Sequence, residues 1–152
     1  MSAAFVWLTG RRGAGKQTVG SAVAEALRAA GHPCALLDAD ALTTHLAHGP
    51  SDGGLASLAW LGRLLSENGV TTIVTVDMSR RADREQLRAE VPGFVEIYVD
   101  APADVCTARA GVADPRYEEP IAPALRVPTH DRDARASAAQ LLSYLESRLD
   151  SA

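Results

Sequence analysis

An apolar run, Phe5 to Thr9, passes directly into Gly10-Arg-Arg-Gly-Ala-Gly-Lys-Gln-Thr18 and from there into a helical pattern. No other stretch limits the possible folds as sharply. The glycines permit unusual dihedrals, so successive backbone N–H groups can converge on an anion. Lys16 falls in the first turn of the following helix, where its ammonium adds to the partial positive charge of the helix N-terminus. A strand, a glycine-rich loop, a lysine and a helix in this order are specific for polyphosphate.

The rest of the chain repeats the alternation. Apolar runs of strand length recur at Phe5 to Thr9, Cys34 to Asp38, Thr71 to Asp77, Phe94 to Asp100 and Ala124 to Pro128. Their apolarity is continuous rather than alternating, which suits strands covered on both faces. Helices are expected over Lys16 to Ala30 (buried face Val19, Val23, Ala26, Leu27, Ala30), Leu55 to Glu67, Arg81 to Glu90, Ala103 to Ala110 and Asp133 to Leu149 (stripe Ala134, Ala138, Leu141, Leu145, Leu149). Gly31, Asn68-Gly69, Pro92 and Gly111 supply the stops. The expected fold is α/β, a three-layer P-loop NTPase/kinase fold with a mainly parallel five-stranded sheet and helices on both faces. His48 to Gly54 and Gly111 to Pro123 read as loops, of the kind that hold ligands at strand ends.

Composition narrows the function. The 152 residues are 47% hydrophobic, enough for one domain, 1–152, with its own core. The net charge of -4, from 15 basic and 19 acidic residues, is scattered and leaves no basic stripe for nucleic acid. No segment reaches the ~20 apolar residues of a membrane span, and the apolar start runs into the glycine loop instead of a cleavage site, so a cytoplasmic protein is expected. Cys34 and Cys106 sit in apolar runs as small core hydrophobes.

The loop implies ATP with Mg2+. A strict phosphate-loop motif has Ser or Thr after the lysine as a metal ligand; here Gln17 stands there and Thr18 follows. The Gln17 carbonyl and Asp77, at the end of TTIVTVD, are the expected metal ligands.

The segments VWLTGRRGAGKQT, ALLDADALTTHL, SENGV, RADR, FVEIYVDAPADVCTAR and DPRYEEPIAP resemble adenylylsulfate (APS) kinase across almost the whole chain. That resemblance implies transfer of the ATP γ-phosphate to the ribose 3′-hydroxyl of APS. It places Gly10, Arg11, Arg12, Gly13, Ala14, Gly15, Lys16, Gln17 and Thr18 on the ATP phosphates and Arg109 near the base. Asp38 matches the first aspartate of the family's Asp-Gly-Asp and contacts the reacting hydroxyl, with Asp40 second; Lys16, Asp38 and Asp40 are the expected catalytic residues.

On the acceptor side the sequence departs from the pattern. Thr43 replaces an expected arginine, Met78 aligns with a serine, and the lid has shrunk to Ala110 to Ala113 before Asp114. Arg11, Arg12, Arg80, Arg81 and Arg116 are candidate replacements to clamp an anion. His45 and His48 face one way on a helix and are weighed as a metal pair. Three readings stay open: an APS kinase, a kinase of the same fold for a smaller hydroxyl compound, and a degenerate nucleotide-binding protein without activity. Trp60, with Leu58, Leu61, Leu64 and Leu65, offers a helix face for a possible homodimer.

Overall fold

The computed structural model describes residues 3–38 and 54–151. Asp40, Thr43, His45, His48 and most of the loop expected up to Gly54 lie outside the described residues. The strands are β1 (Phe5–Thr9), β2 (Cys34–Leu37), β3 (Thr71–Val74), β4 (Phe94–Asp100) and β5 (Leu125–Pro128). The helices are α1 (Lys16–Ala29), α2 (Gly54–Glu67), α3 (Arg81–Glu90), α4 (Ala103–Ala110) and α5 (Ala134–Asp150).

All five strands join one sheet in the order β2-β3-β1-β4-β5, and every adjacent pair is parallel. The order puts β1 in the centre. Val6 and Leu8 point to one face, against Val19, Val23 and Leu27 of α1 and Leu141 and Leu145 of α5. Phe5 and Trp7 point to the other, against Leu58 of α2 and Leu87 of α3. A strand buried on both sides has no polar face to show, which is why FVWLT reads as one apolar run. Helix α2 comes close to β1 because residue 62 is glycine: a Cβ there would lie 2.4 Å from Cε2 of Phe5.

From β1 the chain crosses outward to β2, and from β3 it crosses back over β1 to β4. The crevice at the carboxyl ends of β1 and β3 is therefore the switch point of the sheet, where open α/β proteins hold ligands. Residue 10, opening the phosphate loop, and residues 75–77 leave these two strand ends side by side.

Some expected boundaries move. The ladder of β3 ends at Val74, with Thr75 N still donating to Leu37 O at 3.0 Å. Strand β2 stops at Leu37, and Asp77 lies beyond the end of β3 instead of closing it. Ala30 and Ala134 are exposed rather than buried, because both sit at helix ends that overhang the sheet. Ser137 takes the buried place in α5, its Oγ donating to Pro128 O at 2.8 Å. Gly54 is helical rather than part of the preceding loop. On α2, Trp60 is 60% and Leu64 40% exposed while Leu58 is in the core, so the five residues grouped by spacing divide between interior and surface.

A charged pair lies inside the packing. Arg84 of α3 is fully buried, and its Nε donates to Glu96 Oε2 of β4 at 3.1 Å. The other Glu96 oxygen accepts from Arg88 Nη2 at 2.9 Å. The remaining Arg84 nitrogens donate to the carbonyls of Met78 (2.8 Å), Ser79 (3.1 Å) and Glu118. Removing one member of a buried pair leaves an uncompensated charge, so Glu96→Ala is expected to cost ~3–5 kcal/mol in urea unfolding at pH 7. Glu96→Gln keeps an acceptor for Arg84 and should cost less; a loss under about 1 kcal/mol for the alanine variant contradicts this account.

Candidate active site

Gly10 to Thr18 connects β1 to α1 and curls around the end of the sheet. Gly13 adopts φ +87°, and a Cβ on it would meet Cys106 O at 2.3 Å, so both its conformation and its packing require glycine. Ala14 is buried, its carbonyl accepting from Thr129 Oγ1 at 2.5 Å. Arg109, at the end of α4, donates to Thr129 O at 3.0 Å and reaches Gly13 O at 3.5 Å.

Lys16 stands at the base of the cleft with a side chain only 7% exposed. Its Nζ donates to Gly10 O at 2.6 Å and Arg11 O at 3.3 Å and pairs with Asp77 Oδ1 at 2.8 Å. Three partners match the three N–H bonds of an ammonium, which compensates its burial. Asp77 also accepts from Arg12 Nε at 3.3 Å.

Asp38, just past β2, shares the cleft wall. Its Oδ2 accepts from Gln17 Nε2 at 3.3 Å, and Gln17 Oε1 accepts from the Thr75 hydroxyl at 2.7 Å. The cleft encloses about 450 Å³ and takes in Lys16, Gln17, Asp38, Thr75, Asp77 and Arg109. A second hollow of about 260 Å³ adjoins it at Gly15, Thr18 and Arg109 and continues to Thr129 and Arg132.

Residues 114–119 tie the loop from the other side. Asp114 Oδ2 accepts from the Arg12 backbone N–H at 3.1 Å, and Arg11 Nη1 donates to Asp114 O at 3.1 Å. Tyr117 is buried, shares a 2.9 Å hydrogen bond with Thr9 Oγ1, and lies 5.4 Å from the guanidinium carbons of both Arg11 and Arg84. Arg81 donates its side chain to Glu119 O at 3.0 and 2.7 Å, and its N–H to Glu118 Oε2 at 2.8 Å. The residues that follow the expected short lid are thus fastened to the sheet and the phosphate loop.

Lys16, Gln17, Thr18, Asp38, Asp77 and Arg109 come together as expected. Arg11 does not join them: it turns to Asp114, Tyr117 and Glu119. Of the candidate anion clamps, Arg12 faces Asp77, Arg80 lies 4.0 Å from Asp83, Arg81 holds the 118–119 backbone, and Arg116 is exposed. Sequence reasoning missed Thr75, Arg84, Tyr117 and Thr129. Only the aromatic at 117, lodged in a charged proline-rich loop, gave a usable hint.

Fold and cleft together define a P-loop kinase: a parallel sheet in this order, a lysine in the loop, and a carboxylate wall facing it. The family model for adenylylsulphate kinase matches residues 2–116, and the chain belongs to that family. An adenylyl-sulfate kinase of Deinococcus deserti is 34% identical, over 92% of this chain and 90% of that one. That of Rippkaea orientalis is 30% identical over 93% and 90%. The Mycobacterium tuberculosis APS kinase, solved in complex with AMPPNP and APS, is 27% identical and superposes with a TM-score of 0.82, covering 95% of this chain and 98% of that one. The family is one of ATP-dependent kinases working with Mg2+. Among the described residues no helix is long and apolar enough to cross a membrane.

Burial pushes the Tyr117 phenol up to about 12, against the opposing pull of the Thr9 hydrogen bond. Its folded pKa thus exceeds its unfolded one, so the stability it adds is complete below about pH 10 and is lost as pH rises toward 12. Tyr117→Phe should lose ~0.5–1.5 kcal/mol at pH 7 with the Thr9 bond. In urea unfolding across that alkaline window the wild type should lose stability faster than the variant; parallel curves would refute the assignment.

Proposed function

We propose that this chain transfers the γ-phosphate of ATP to a hydroxyl, with the 3′-hydroxyl of adenylyl sulfate as acceptor. The observation that carries the reading is the buried Lys16 ammonium at the floor of a cleft whose wall holds Asp38. Loop N–H groups and Lys16 bind the β- and γ-phosphates, and the hollow beside Arg109 and Thr18 takes the base. Among the described residues no cluster of three or more His, Cys, Asp or Glu builds a metal cage. Mg2+ needs none, since it is commonly held by one or two carboxylates together with phosphate oxygens and water. Asp77 on the cleft wall fits that donor set, and the bound cation would supply neutralisation of phosphate charge.

In the transfer itself the acceptor oxygen bonds to the γ-phosphorus while the bond to the β–γ bridging oxygen breaks. The hydroxyl proton passes to Asp38, and ADP leaves. Asp40 is the second carboxylate of this reading. The hydrogen bond from Gln17 and the position at the end of β2 support Asp38 in the role.

A second reading, a smaller and less charged hydroxyl acceptor, is favoured by one observation. Arg11, Arg12 and Arg81 already have carboxylate, carbonyl or ring partners, so they are poorly available to a phosphosulfate. ADP release from ATP and Mg2+, with and without adenylyl sulfate, distinguishes the two. Stimulation by adenylyl sulfate that falls at least ~100-fold in Lys16→Ala is the expected result. ATP binding without stimulation would remove adenylyl sulfate as acceptor and leave the smaller compound or a nucleotide-binding protein without activity.

A further inference from the structure

Gln17 occupies the place where a phosphate loop carries its metal-binding hydroxyl, and its contacts assign it different work. We infer that Gln17 is a positioning residue, which holds the Asp38 carboxylate on the cleft wall and does not ligate the cation. The inference rests on the kinase reading above for what Asp38 does, but not for how Gln17 is held.

The orientation of the amide follows from its partners. An ionised carboxylate only accepts, so the Gln17 group facing Asp38 Oδ2 at 3.3 Å is the NH2. The oxygen is then the atom 2.7 Å from Thr75 Oγ1, and the Thr75 hydroxyl donates to it. Turning the amide to offer Oε1 beside Asp38 would set two oxygen acceptors against each other, whereas the Thr75 hydroxyl can pair with either end of the amide, so Asp38 decides the orientation. The second amide hydrogen lies toward Ser21 Oγ, at 3.5 Å one helical turn along α1.

The arrangement spans three elements. Gln17 projects from the first turn of α1, Thr75 follows β3 and Asp38 follows β2, with Thr75 N bonded to Leu37 O between the two strand ends. A serine or threonine at position 17 is too short to reach both strand ends, whereas the glutamine side chain bridges them. A carboxylate locked by neighbouring groups keeps its orientation toward the acceptor, which is what proton transfer requires.

The test uses the full chain and the variants Gln17→Met, similar in length without hydrogen bonds, and Gln17→Ser, which restores a hydroxyl. Binding of the non-hydrolysable analogue AMPPNP is titrated against Mg2+, with no turnover needed. If Gln17 positions Asp38, the Mg2+ half-saturation point of Gln17→Met stays within about threefold of wild type. With acceptor present, kcat of that variant should fall ~10–100-fold while KM for ATP moves less than about threefold. A larger shift in Mg2+ dependence for Gln17→Met, reversed in Gln17→Ser, would make Gln17 a ligand and overturn the inference. A wild type that binds Mg2+ and AMPPNP yet phosphorylates no acceptor would overturn the kinase reading, and the Mg2+ titration would still decide the place of Gln17.

Discussion

A guanidinium without access to water must find a carboxylate and carbonyl acceptors, and Arg84 finds them by gathering four segments. Glu96 fixes it to β4, its own backbone belongs to α3, and the carbonyls of Met78, Ser79 and Glu118 bring in the chain after β3 and the strap at 114–119. Neither of the last two lies in a strand or helix. Their places near the phosphate loop come from this charge and from Tyr117, which packs beside it. Asp77 directly precedes Met78, so the carboxylate that meets Lys16 depends for its position on an arginine buried in the next layer.

The strap has a second consequence. Asp114 engages a backbone N–H of the phosphate loop, and Arg11 is drawn out of the loop by Asp114, Glu119 and Tyr117. Two arginines adjacent in sequence therefore part: Arg12 turns to Asp77 and Arg11 to the strap. The loop keeps its inward N–H groups and Lys16 for an anion, while much of its side-chain charge is spent within the fold. The strap thereby fastens one flank of the cleft to the sheet.

The legible parts of the sequence were those where the signal is local. The span from Phe5 to Ala29, the ends of α3 at Arg81 and Glu90 and of α4 at Gly111, and the strand β4 follow from apolar runs, glycines and prolines within a few residues. Lys16, Gln17, Asp38 and Asp77 were legible because they sit at a helix start or just past strand ends whose place the fold dictates, and Arg109, in the last turn of α4, through the family resemblance. What could not be read depends on distant pairing. Arg84 and Glu96 look like surface charges on RADREQLRAE and FVEIYVD, and only the packing of α3 on β4 makes them partners. Tyr117 meets Thr9 across 108 residues. Asp77 was expected at the end of a strand, but the sequence does not show that the ladder of β3 would end at Val74, three residues before it. The acceptor-side residues around Asp40 lie outside the described chain.

The ion pair at the cleft floor is asymmetric, and this shapes how a nucleotide can enter. Lys16 is 7% exposed and Asp77 43%. An ammonium that buried cannot be left bare, because losing its anion without replacement incurs a desolvation penalty of several kcal/mol. Asp77 carries no such restriction: water already reaches it, and Arg12 remains beside it at 3.3 Å. In the proposed reaction, then, one anion would replace another at Lys16, phosphate oxygens taking the place of the Asp77 carboxylate. The lysine would stay paired throughout, and Asp77, released from it, would be free to hold the cation.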